Sequence, residues 1–297
     1  MTKFQTILVT GCAGQLGQSI QSIAGDFPDF EFVFANRQGL DLNDETSIAK
    51  FFENQTFDVI INCAAHTAVD KAESEPELAN QINHLAVQKL ARIVKEHHSK
   101  LIHISTDYVF SGKQYRPYLE TDEVQPQGVY GETKLYGEHD IQSILKTNAI
   151  IIRTSWIYSE YGNNFVKTIL KLGQQRDTLN VIFDQVGTPT YAKDLAKSIM
   201  CIIKSQAFNQ EYFKTDIVNY SNEGVCSWYD FAKTIFELTN TQCRVLPVET
   251  KDYPTPAKRP HYSVLNKTKI KQTYHLTIPY WKDSLRLCLT ALLSRAS

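Results

Sequence analysis

The sequence of 297 residues has no feature that would place it in a membrane or on a nucleic acid. None of its apolar runs approaches the roughly 20 residues of a membrane-spanning helix. Met1 leads within a few residues into a strand-like run, with no basic leader. The 31 Lys and Arg residues are matched by 32 Asp and Glu residues, so the formal charge of -1 gives no basic surface for nucleic acid or anionic lipid. We therefore expect a cytoplasmic protein that binds neither nucleic acid nor a membrane.

Closely spaced cysteine pairs are also missing. No Cys-x-x-Cys motif occurs, and most of the cysteines stand among apolar residues, which is typical of buried thiols in a reducing compartment. They are Cys12, Cys63, Cys201, Cys226, Cys243 and Cys288. Their scattered positions argue against a metal cluster. The sequence contains no internal repeat or low-complexity tract, and its length suits one large domain or a nucleotide-binding domain with a smaller lobe.

The first half of the chain alternates strand-like and helix-like segments. β-Branched and apolar runs predict strands at residues 4–10, 31–35, 57–62, 101–106 and 149–155. Between them, helices are predicted up to Ile23, from Asn43 or Asp44 to Asn54, from Pro76 to about residue 98, and from residue 130 onward. Such alternation is typical of an α/β fold with a Rossmann-like, doubly wound parallel sheet. We assign residues 1–156 to this dinucleotide-binding domain.

Beyond residue 156 the alternation becomes looser and loops take more of the chain. Helices are predicted at residues 164–173 and 192–205, strands at 179–183 and 217–220, and a further helix after Ser227 as its N-terminal cap. A last amphipathic helix carries Trp281, Leu285 and Leu289 at helical spacing. We expect residues 157–297 to form a smaller C-terminal substrate-binding lobe that is interleaved with the first domain.

Three glycines follow the first predicted strand and open a helix. Glycines at this position permit a tight turn and a close approach of the backbone to a pyrophosphate, which then faces the N-terminus of the helix. The alternative is a set of ordinary turn glycines, but the strand before the turn and the helix after it favour dinucleotide binding. The residues expected to contact the cofactor here are Gly11, Gly14, Gln15, Leu16 and Gly17.

The residues after the second strand bear on the choice of cofactor. An acidic residue at its end would accept a hydrogen bond from the 2′-hydroxyl of NAD, but the chain has Asn36 and Arg37 there. Because an arginine can pair with a 2′-phosphate, we predict NADPH, with NADH possible; the alternative is that Arg37 is a solvated loop residue. Asp41 and Leu42 are expected near the adenine.

The third and fourth predicted strands end in residues suited to a binding crevice. Ligands of open α/β sheets bind outside the carboxyl ends of the strands. Small residues after the third strand let the backbone approach the cofactor, and we expect Cys63, Ala64, Ala65 and Thr67 to contact it. The fourth strand ends at Thr106, whose hydroxyl could bind a substrate carbonyl, although a threonine there can also simply cap a turn.

Tyr130 and Lys134 are four residues apart and would share one face of a helix. An ammonium near a phenol stabilises the phenolate and lowers the pKa of the phenol from about 10. This spacing is common on amphipathic helices, so the pair alone is weak evidence. Together with the glycine turn and Thr106 it predicts a ketone reductase, in which Tyr130 protonates the carbonyl oxygen and Lys134 also holds the nicotinamide ribose.

Several longer runs identify a resemblance. The glycine spacing resembles the extended short-chain dehydrogenase/reductase superfamily. Within it, the chain resembles the dTDP-4-dehydrorhamnose reductase family at residues 62–75, 105–112, 130–138, 153–156, 162–165, 184–190 and 259–260. The runs at 66–75 and 184–190, together with Trp156, are the most specific.

The resemblance implies a reaction and a set of site residues. Hydride would pass from NAD(P)H to C4 of dTDP-4-dehydro-L-rhamnose and give dTDP-L-rhamnose, with Tyr130 as proton donor. Lys134 would tune the tyrosine, and Thr106 would orient the carbonyl. The substrate-binding residues that we expect are Thr106, Asp107, Trp156, Asn163 and Arg259. The alternatives are a core position for Trp156 and a surface ion pair for Arg259.

The resemblance also bears on metal binding and assembly. Some members of this family are described as magnesium-bridged dimers through glutamates. The corresponding segments of this chain, residues 191–194 and 292–295, contain no glutamate. We therefore predict no metal, and a monomer or weak homodimer.

Two other functions remain open at the level of the sequence. The first is another nucleotide-sugar enzyme, an epimerase or a 4,6-dehydratase. Dehydration is disfavoured because Asp107 is followed by Tyr108 where a glutamate would be expected. The second is a regulatory NADP-binding subunit that resembles the partner of methionine adenosyltransferase and needs no turnover. Retention of Thr106, Tyr130 and Lys134 favours an enzyme.

Overall fold

A six-stranded parallel sheet is the centre of the molecule in the computed structural model, which describes residues 5–295. Its strand order is β10-β5-β4-β3-β1-β2. The predicted first strand began at Phe4, which lies outside the described residues. The strands are β1 (Gln5–Thr10), β2 (Phe30–Ala35), β3 (Val59–Asn62), β4 (Lys100–Thr106), β5 (Ala149–Thr154), β6 (Ile157–Tyr158), β7 (Thr178–Ile182), β8 (Val186–Gly187), β9 (Thr190–Tyr191), β10 (Asp216–Tyr220), β11 (Cys226–Ser227) and β12 (Arg244–Val248).

Helices cover both faces of this sheet. The helices are α1 (Gln15–Ile23), α2 (Glu45–Phe52), α3 (Val69–Ala72), α4 (Pro76–Asn80), α5 (Ala86–Glu96), α6 (Val129–Ile144), α7 (Phe165–Gln175), α8 (Ala192–Lys204), α9 (Gln206–Asn209), α10 (Trp228–Thr239), α11 (Thr268–Tyr274) and α12 (Trp281–Ser294). Residues of α1 and α8 share one core with the sheet, and residues of α2, α5 and α6 share the other. This arrangement confirms the predicted doubly wound α/β fold.

Local sequence signals set several helix boundaries. The side chain of Asp44 accepts a hydrogen bond from the Thr46 amide at the start of α2, and Ser227 with Asp230 forms a capping box at α10. Pro76 occupies the first turn of α4. The long helix predicted from this proline is present, but a π-helical turn at Gln81–Leu85 separates α4 from α5.

The register of the sheet aligns the strand ends that matter for function. Thr10 of β1 pairs with Asn62 of β3, and Asn62 pairs in turn with His103 of β4. Further along, Thr106 of β4 pairs with Thr154 of β5. Because all these strands are parallel, their carboxyl ends lie along one edge of the sheet. A binding crevice can open at this edge, over the ends of β1, β3 and β4.

The second half of the chain contributes elements to the central α/β sheet and also forms a smaller lobe. Strand β10 is the edge strand beside β5, and α8 packs against α1. The remaining elements build a smaller lobe from three two-stranded sheets and α7, α10 and α12, with a core that includes Tyr158, Phe231 and Trp281. The division of the chain at residue 156 stays a prediction. Across residues 5–295, no helix combines the length and apolar character needed to cross a membrane.

Candidate active site

The glycine turn is tightly packed against neighbouring backbone. Gly11 has a φ of +63°, which favours glycine, and a Cβ there would lie 2.7 Å from the N and Cα atoms of Ala64. A Cβ on Gly17 would lie 2.5 Å from the Cα of Cys12. The first glycine therefore lets β1 meet the loop after β3, and the last lets α1 pack closely on the turn.

The start of α1 fits an anionic group. Gly14 provides no side-chain cap, and within residues 5–295 the backbone N–H groups of Gln15, Leu16 and Gly17 have no acceptor. Unpaired N–H groups at a helix N-terminus, together with the helix dipole, bind phosphates well. These amides are therefore suited to hold the pyrophosphate of a dinucleotide.

Two of the residues predicted in this turn can contribute only through their backbone. The side chain of Gln15 donates to the Ile157 carbonyl and accepts from Ser159 and Asn164, so it links α1 to the segment that follows β5. The side chain of Leu16 is buried in the core of the sheet.

The predicted ribose-binding residues lie at the end of β2. Asn36 accepts hydrogen bonds from the Gln38 and Gly39 amides and so shapes the turn. Arg37 is 73 % exposed, and its Nε lies 3.2 Å from Asp41 Oδ2. Its guanidinium can therefore turn toward a 2′-phosphate at little cost. The side chain of Leu42 is buried in the core, which leaves only its backbone for the adenine.

The loop after β3 presents small side chains to the same edge. Cys63, Ala64 and Ala65 are partly exposed and Thr67 is exposed. The side chain of Asn83, in the π-helical turn, accepts from the amide of His66 at 2.8 Å and donates to its carbonyl at 3.1 Å. This pair of hydrogen bonds fixes the loop.

Thr106 and Tyr130 come together at the end of β4. The Thr106 hydroxyl donates to Asp107 Oδ1 at 3.0 Å and accepts from the Tyr108 amide at 3.2 Å. The ring of Tyr108 lies edge-on to that of Tyr130, with centroids 5.5 Å apart. The Thr106 hydroxyl also lies near enough to the phenol of Tyr130 to act on its pKa. The structure thus brings together the two residues predicted to bind and protonate a carbonyl.

The predicted lowering of the tyrosine pKa is wrong for this structure. Burial raises the pKa of Tyr130 to about 12, and the Thr106 hydroxyl opposes the shift only in part. The spacing of Tyr130 and Lys134 in the sequence indicates a nearby charge, but it does not show the loss of water around the phenol. Tyr130 therefore keeps its proton throughout the neutral range, which is the state that a proton donor requires.

Lys134 is buried, with 1 % of its surface exposed, beneath the end of β4. Its amine donates to the Ile104 carbonyl at 2.6 Å and lies 3.2 Å from Nε2 of His103. Burial lowers the pKa of Lys134 to about 8, although the carboxylate of Glu138 favours the charged form. The lysine is thus a cation that can lose its proton at mildly alkaline pH.

Asp107 is a second titratable group at the site. It is buried, its Oδ2 atom has no hydrogen-bond partner in the described residues, and burial raises its pKa to about 7. The hydroxyls of Thr106 and Ser263 lower the pKa of Asp107 but do not outweigh burial. Since Ser263 comes from the C-terminal half, this carboxyl lies where the two halves meet.

The other predicted substrate residues differ in how they are held. Trp156 stacks on Trp228 with ring centroids 3.5 Å apart, and its φ of +48° is a strained value for a bulky residue. Asn163 is exposed. Arg259 forms a two-pronged ion pair with Asp70, at 3.0 and 2.7 Å. This ion pair joins the segment after β3 to the C-terminal half, and the contact of Arg259 with the substrate stays a prediction.

A protein-family model and individual relatives each match nearly the whole chain. The RmlD substrate binding domain model matches residues 5–294, and a dTDP-4-dehydrorhamnose reductase of Sinorhizobium fredii is 40 % identical over 97 % of this chain and 97 % of its own. The chain belongs to the dTDP-4-dehydrorhamnose reductase family. A reductase of the same name from Escherichia coli K12 is also 40 % identical, over 96 % of this chain and 97 % of its own. Membership in a reductase family is what the sequence predicts.

Solved structures of this reductase family share the fold. A dTDP-4-dehydrorhamnose reductase of Clostridium acetobutylicum superposes with a TM-score of 0.90 at 40 % identity, over 97 % of this chain and all of that chain. A reductase of Bacillus anthracis, solved in complex with NADP, gives a TM-score of 0.91 at 34 % identity over the same shares. A UDP-glucose 4-epimerase of Thermus thermophilus, at 17 % identity and a TM-score of 0.79, shows the fold alone.

His103 and the partner of Arg259 were not predicted from the sequence. His103 is fully buried within β4 and contacts both Asn62 and Lys134. A histidine inside an apolar strand was the available signal, because such a residue must find polar partners. Asp70 lies in one of the runs that carry the family resemblance, but nothing local indicates that it meets Arg259, 189 residues away.

Proposed function

We propose that this protein reduces the C4 keto group of dTDP-4-dehydro-L-rhamnose to the hydroxyl of dTDP-L-rhamnose. The observation that carries the proposal is the pairing of Thr106 with a protonated Tyr130 at the edge of the sheet where the glycine turn opens. The names of the relatives support the same substrate. A location in the cytoplasm and a monomer or weak homodimer stay predictions.

NADPH is the proposed cofactor, with NADH possible. The free amides at the start of α1 suit the pyrophosphate, and the exposed guanidinium of Arg37 suits a 2′-phosphate. The relative from Bacillus anthracis, solved with NADP, supports this choice. When bound, NADPH would supply the hydride that reaches C4 of the sugar.

The side chains would divide the remaining steps. The hydroxyls of Thr106 and Tyr130 would bind the carbonyl oxygen, and the phenol proton of Tyr130 would move to that oxygen as the C4–H bond forms. The charged amine of Lys134 would stabilise the phenolate left behind. A proton from solvent would then restore the phenol. Trp156, Asn163 and Arg259 are proposed to bind the sugar nucleotide.

The first prediction concerns Tyr130→Phe. NADPH consumption should be followed by absorbance with enzymatically generated dTDP-4-dehydro-L-rhamnose, and with NADH in parallel. Because the variant lacks the donated proton, we expect kcat to fall by about 100-fold or more, with NADPH affinity little changed. Tyr136→Phe, on the exposed part of the same helix, is the matched control and should keep its rate.

Two outcomes would contradict the proposal in different ways. If the wild type oxidises no NADPH when the sugar is added, the protein is not this reductase. Product formation without net cofactor use would favour an epimerase. Tight dinucleotide binding without any turnover would favour a regulatory subunit. If Tyr130→Phe keeps the full rate, Tyr130 is not the proton donor.

A further inference from the structure

A chain of buried polar side chains runs beneath the candidate site. The Thr10 hydroxyl lies 2.6 Å from Asn62 Oδ1, the amide nitrogen of Asn62 lies 3.0 Å from His103 Nδ1, and His103 Nε2 lies 3.2 Å from the amine of Lys134. The first three members are in register across β1, β3 and β4. The chain therefore joins the glycine turn to the lysine.

Each member of this chain is shielded from water. Thr10, Asn62, His103 and Lys134 are all exposed by 1 % or less. A buried polar group that loses its partner destabilises the folded state, so each of these contacts restrains its neighbours. Packing alone would favour an apolar residue in the middle of β4, and a histidine there requires another explanation.

The imidazole of His103 is neutral. Burial lowers its pKa well below the ordinary value, and the charge of Lys134 acts in the same direction. A neutral imidazole has one N–H and one lone pair. If Lys134 is charged, it must donate to Nε2, and the N–H of the ring is then on Nδ1. In that state the Asn62 amide must rotate so that its oxygen accepts from Nδ1, in place of the nitrogen that faces the ring in this structure. If Lys134 is neutral, Nε2 can donate to it, and the ring accepts from the Asn62 amide.

We propose that His103, held by Asn62 and Thr10, is a positioning residue that orients the amine of Lys134 for the reaction and changes tautomer when that amine changes charge. The inference rests on the proposed reductase function only for its kinetic consequences. The contacts of the chain do not depend on the identity of the substrate. The charge of Lys134, at one end of this series of side chains, thereby sets the tautomer of His103.

The other groups around Lys134 do not replace this role. Glu138, on the same helix, favours the cation, but its carboxylate is already held by Arg153 in a buried ion pair at 2.6 Å. Cys63, from the loop after β3, has a thiol whose pKa is raised by burial and stays protonated. The Ile104 carbonyl fixes one direction of the amine. His103 is the remaining polar contact of Lys134 within the described chain.

The second prediction uses two replacements that each keep one of the ring contacts. The amide of His103→Gln can reach Lys134 from the position of Nε2, whereas that of His103→Asn reaches only Asn62. We expect His103→Asn to lower kcat about tenfold with a smaller change in KM, and to move the alkaline limb of the kcat profile below its wild-type position near pH 8 by about half a unit. His103→Gln should keep most of the wild-type kcat, and its alkaline limb should lie close to the wild-type position.

If the two variants lose the same activity and both keep the wild-type alkaline limb, His103 only fills space and the proposal is wrong. Thermal unfolding of both variants shows whether they fold. If neither variant folds, a measurement on the wild-type protein still tests the proposal.

That measurement is the ¹⁵N spectrum of histidine-labelled protein with NADPH absent. His103 should stay neutral from about pH 6 to 9, while its protonated nitrogen changes from Nδ1 to Nε2 as Lys134 loses its charge near pH 8. A ring that becomes cationic in this range, or that keeps one tautomer throughout, would overturn the proposal. Because no substrate is used, this result is independent of whether the protein is the proposed reductase.

Discussion

At the scale of single residues, burial determines the chemistry of the site. It raises the pKa of Tyr130 to about 12 and of Asp107 to about 7, and it lowers that of Lys134 to about 8. Each shift follows from the cost of placing a charge away from water. The result is a phenol that keeps its proton and an amine and a carboxyl that both titrate near neutral pH.

The third prediction follows from the raised pKa of Asp107. In the unfolded chain an aspartate titrates near 3.9, so the folded protein holds this proton more tightly. The stability that the protonated group contributes is fully present below about pH 4, is lost as the pH rises to about 7, and stays lost above that. We expect Asp107→Asn to be more stable than the wild type at pH 8, by up to about 4 kcal/mol.

Urea unfolding at pH 5 and pH 8 measures this difference. The gain of Asp107→Asn over the wild type should be clearly larger at pH 8. Asp122→Asn is the control, because the ion pair with Arg116 lowers the pKa of Asp122, so its contribution to stability is fully present above about pH 4 and its removal should cost the same at pH 5 and at pH 8. A gain for Asp107→Asn that is the same at pH 5 and pH 8 would show that the carboxyl of Asp107 is already ionised at pH 5 and that its pKa is not raised.

At the scale of elements, the glycine turn and α1 form one unit. The turn begins directly after β1, and the helix starts at Gln15, where its first amides have no acceptor among residues 5–295. A side chain at the last glycine would collide with backbone, which cannot move aside as a flexible side chain can. The geometry of the turn therefore depends on the absence of that side chain.

The fourth prediction concerns Gly17→Ala. Its Cβ would lie 2.5 Å from the Cα of Cys12 and 2.6 Å from the carbonyl oxygen of Gly11, so α1 must move away from the turn. We expect a loss of about 1–3 kcal/mol in the free energy of unfolding and weaker NADPH binding. Thermal unfolding and fluorescence titration with NADPH measure the two effects.

Gly25→Ala is the matched control for this glycine. A Cβ at Gly25 meets no atom within 4 Å, so its effect should stay within about 0.5 kcal/mol, with NADPH binding unchanged. If both variants bind NADPH as the wild type does, the turn is not the pyrophosphate site.

The elements were largely predictable because their signals are local. The strand and helix alternation, the caps at Asp44 and Ser227 and the proline at residue 76 each depend on residues close in sequence. The π-helical turn at Gln81–Leu85 was not predicted. Its Asn83 bonds to the loop at His66, a contact between segments that no local pattern specifies.

At the scale of the whole molecule, the two halves of the chain are joined at the site. Gln15 links α1 to the segment at Ile157 and Ser159, and Asp70 links the loop after β3 to Arg259. Both links lie beside residues proposed to bind cofactor or substrate. The cleft is therefore shaped by contacts between parts of the chain that are far apart in sequence.

The fifth prediction tests the Asp70–Arg259 pair. A lysine cannot reproduce the two parallel hydrogen bonds of the guanidinium, so Arg259→Lys should loosen the loop at residues 253–260. We expect KM for the sugar nucleotide to rise about tenfold with a smaller change in kcat. The effect on stability should be below about 1 kcal/mol, because the pair is partly exposed.

Arg116→Lys is the control for this pair. Arg116 makes an equally two-pronged contact with Asp122, but within one loop. Steady-state kinetics should show a raised KM for Arg259→Lys alone. An unchanged KM in that variant would mean that the pair has no part in substrate binding.

The sequence by itself determined the fold class, the glycine turn and the family, since each is encoded by short-range spacing. Only the tertiary structure decided the direction of the Tyr130 pKa shift, the stacking of Trp156 on Trp228 and the contact of His103 with Lys134. These depend on burial and on partners distant in the chain. Both arise only when the sheet and the second lobe pack together.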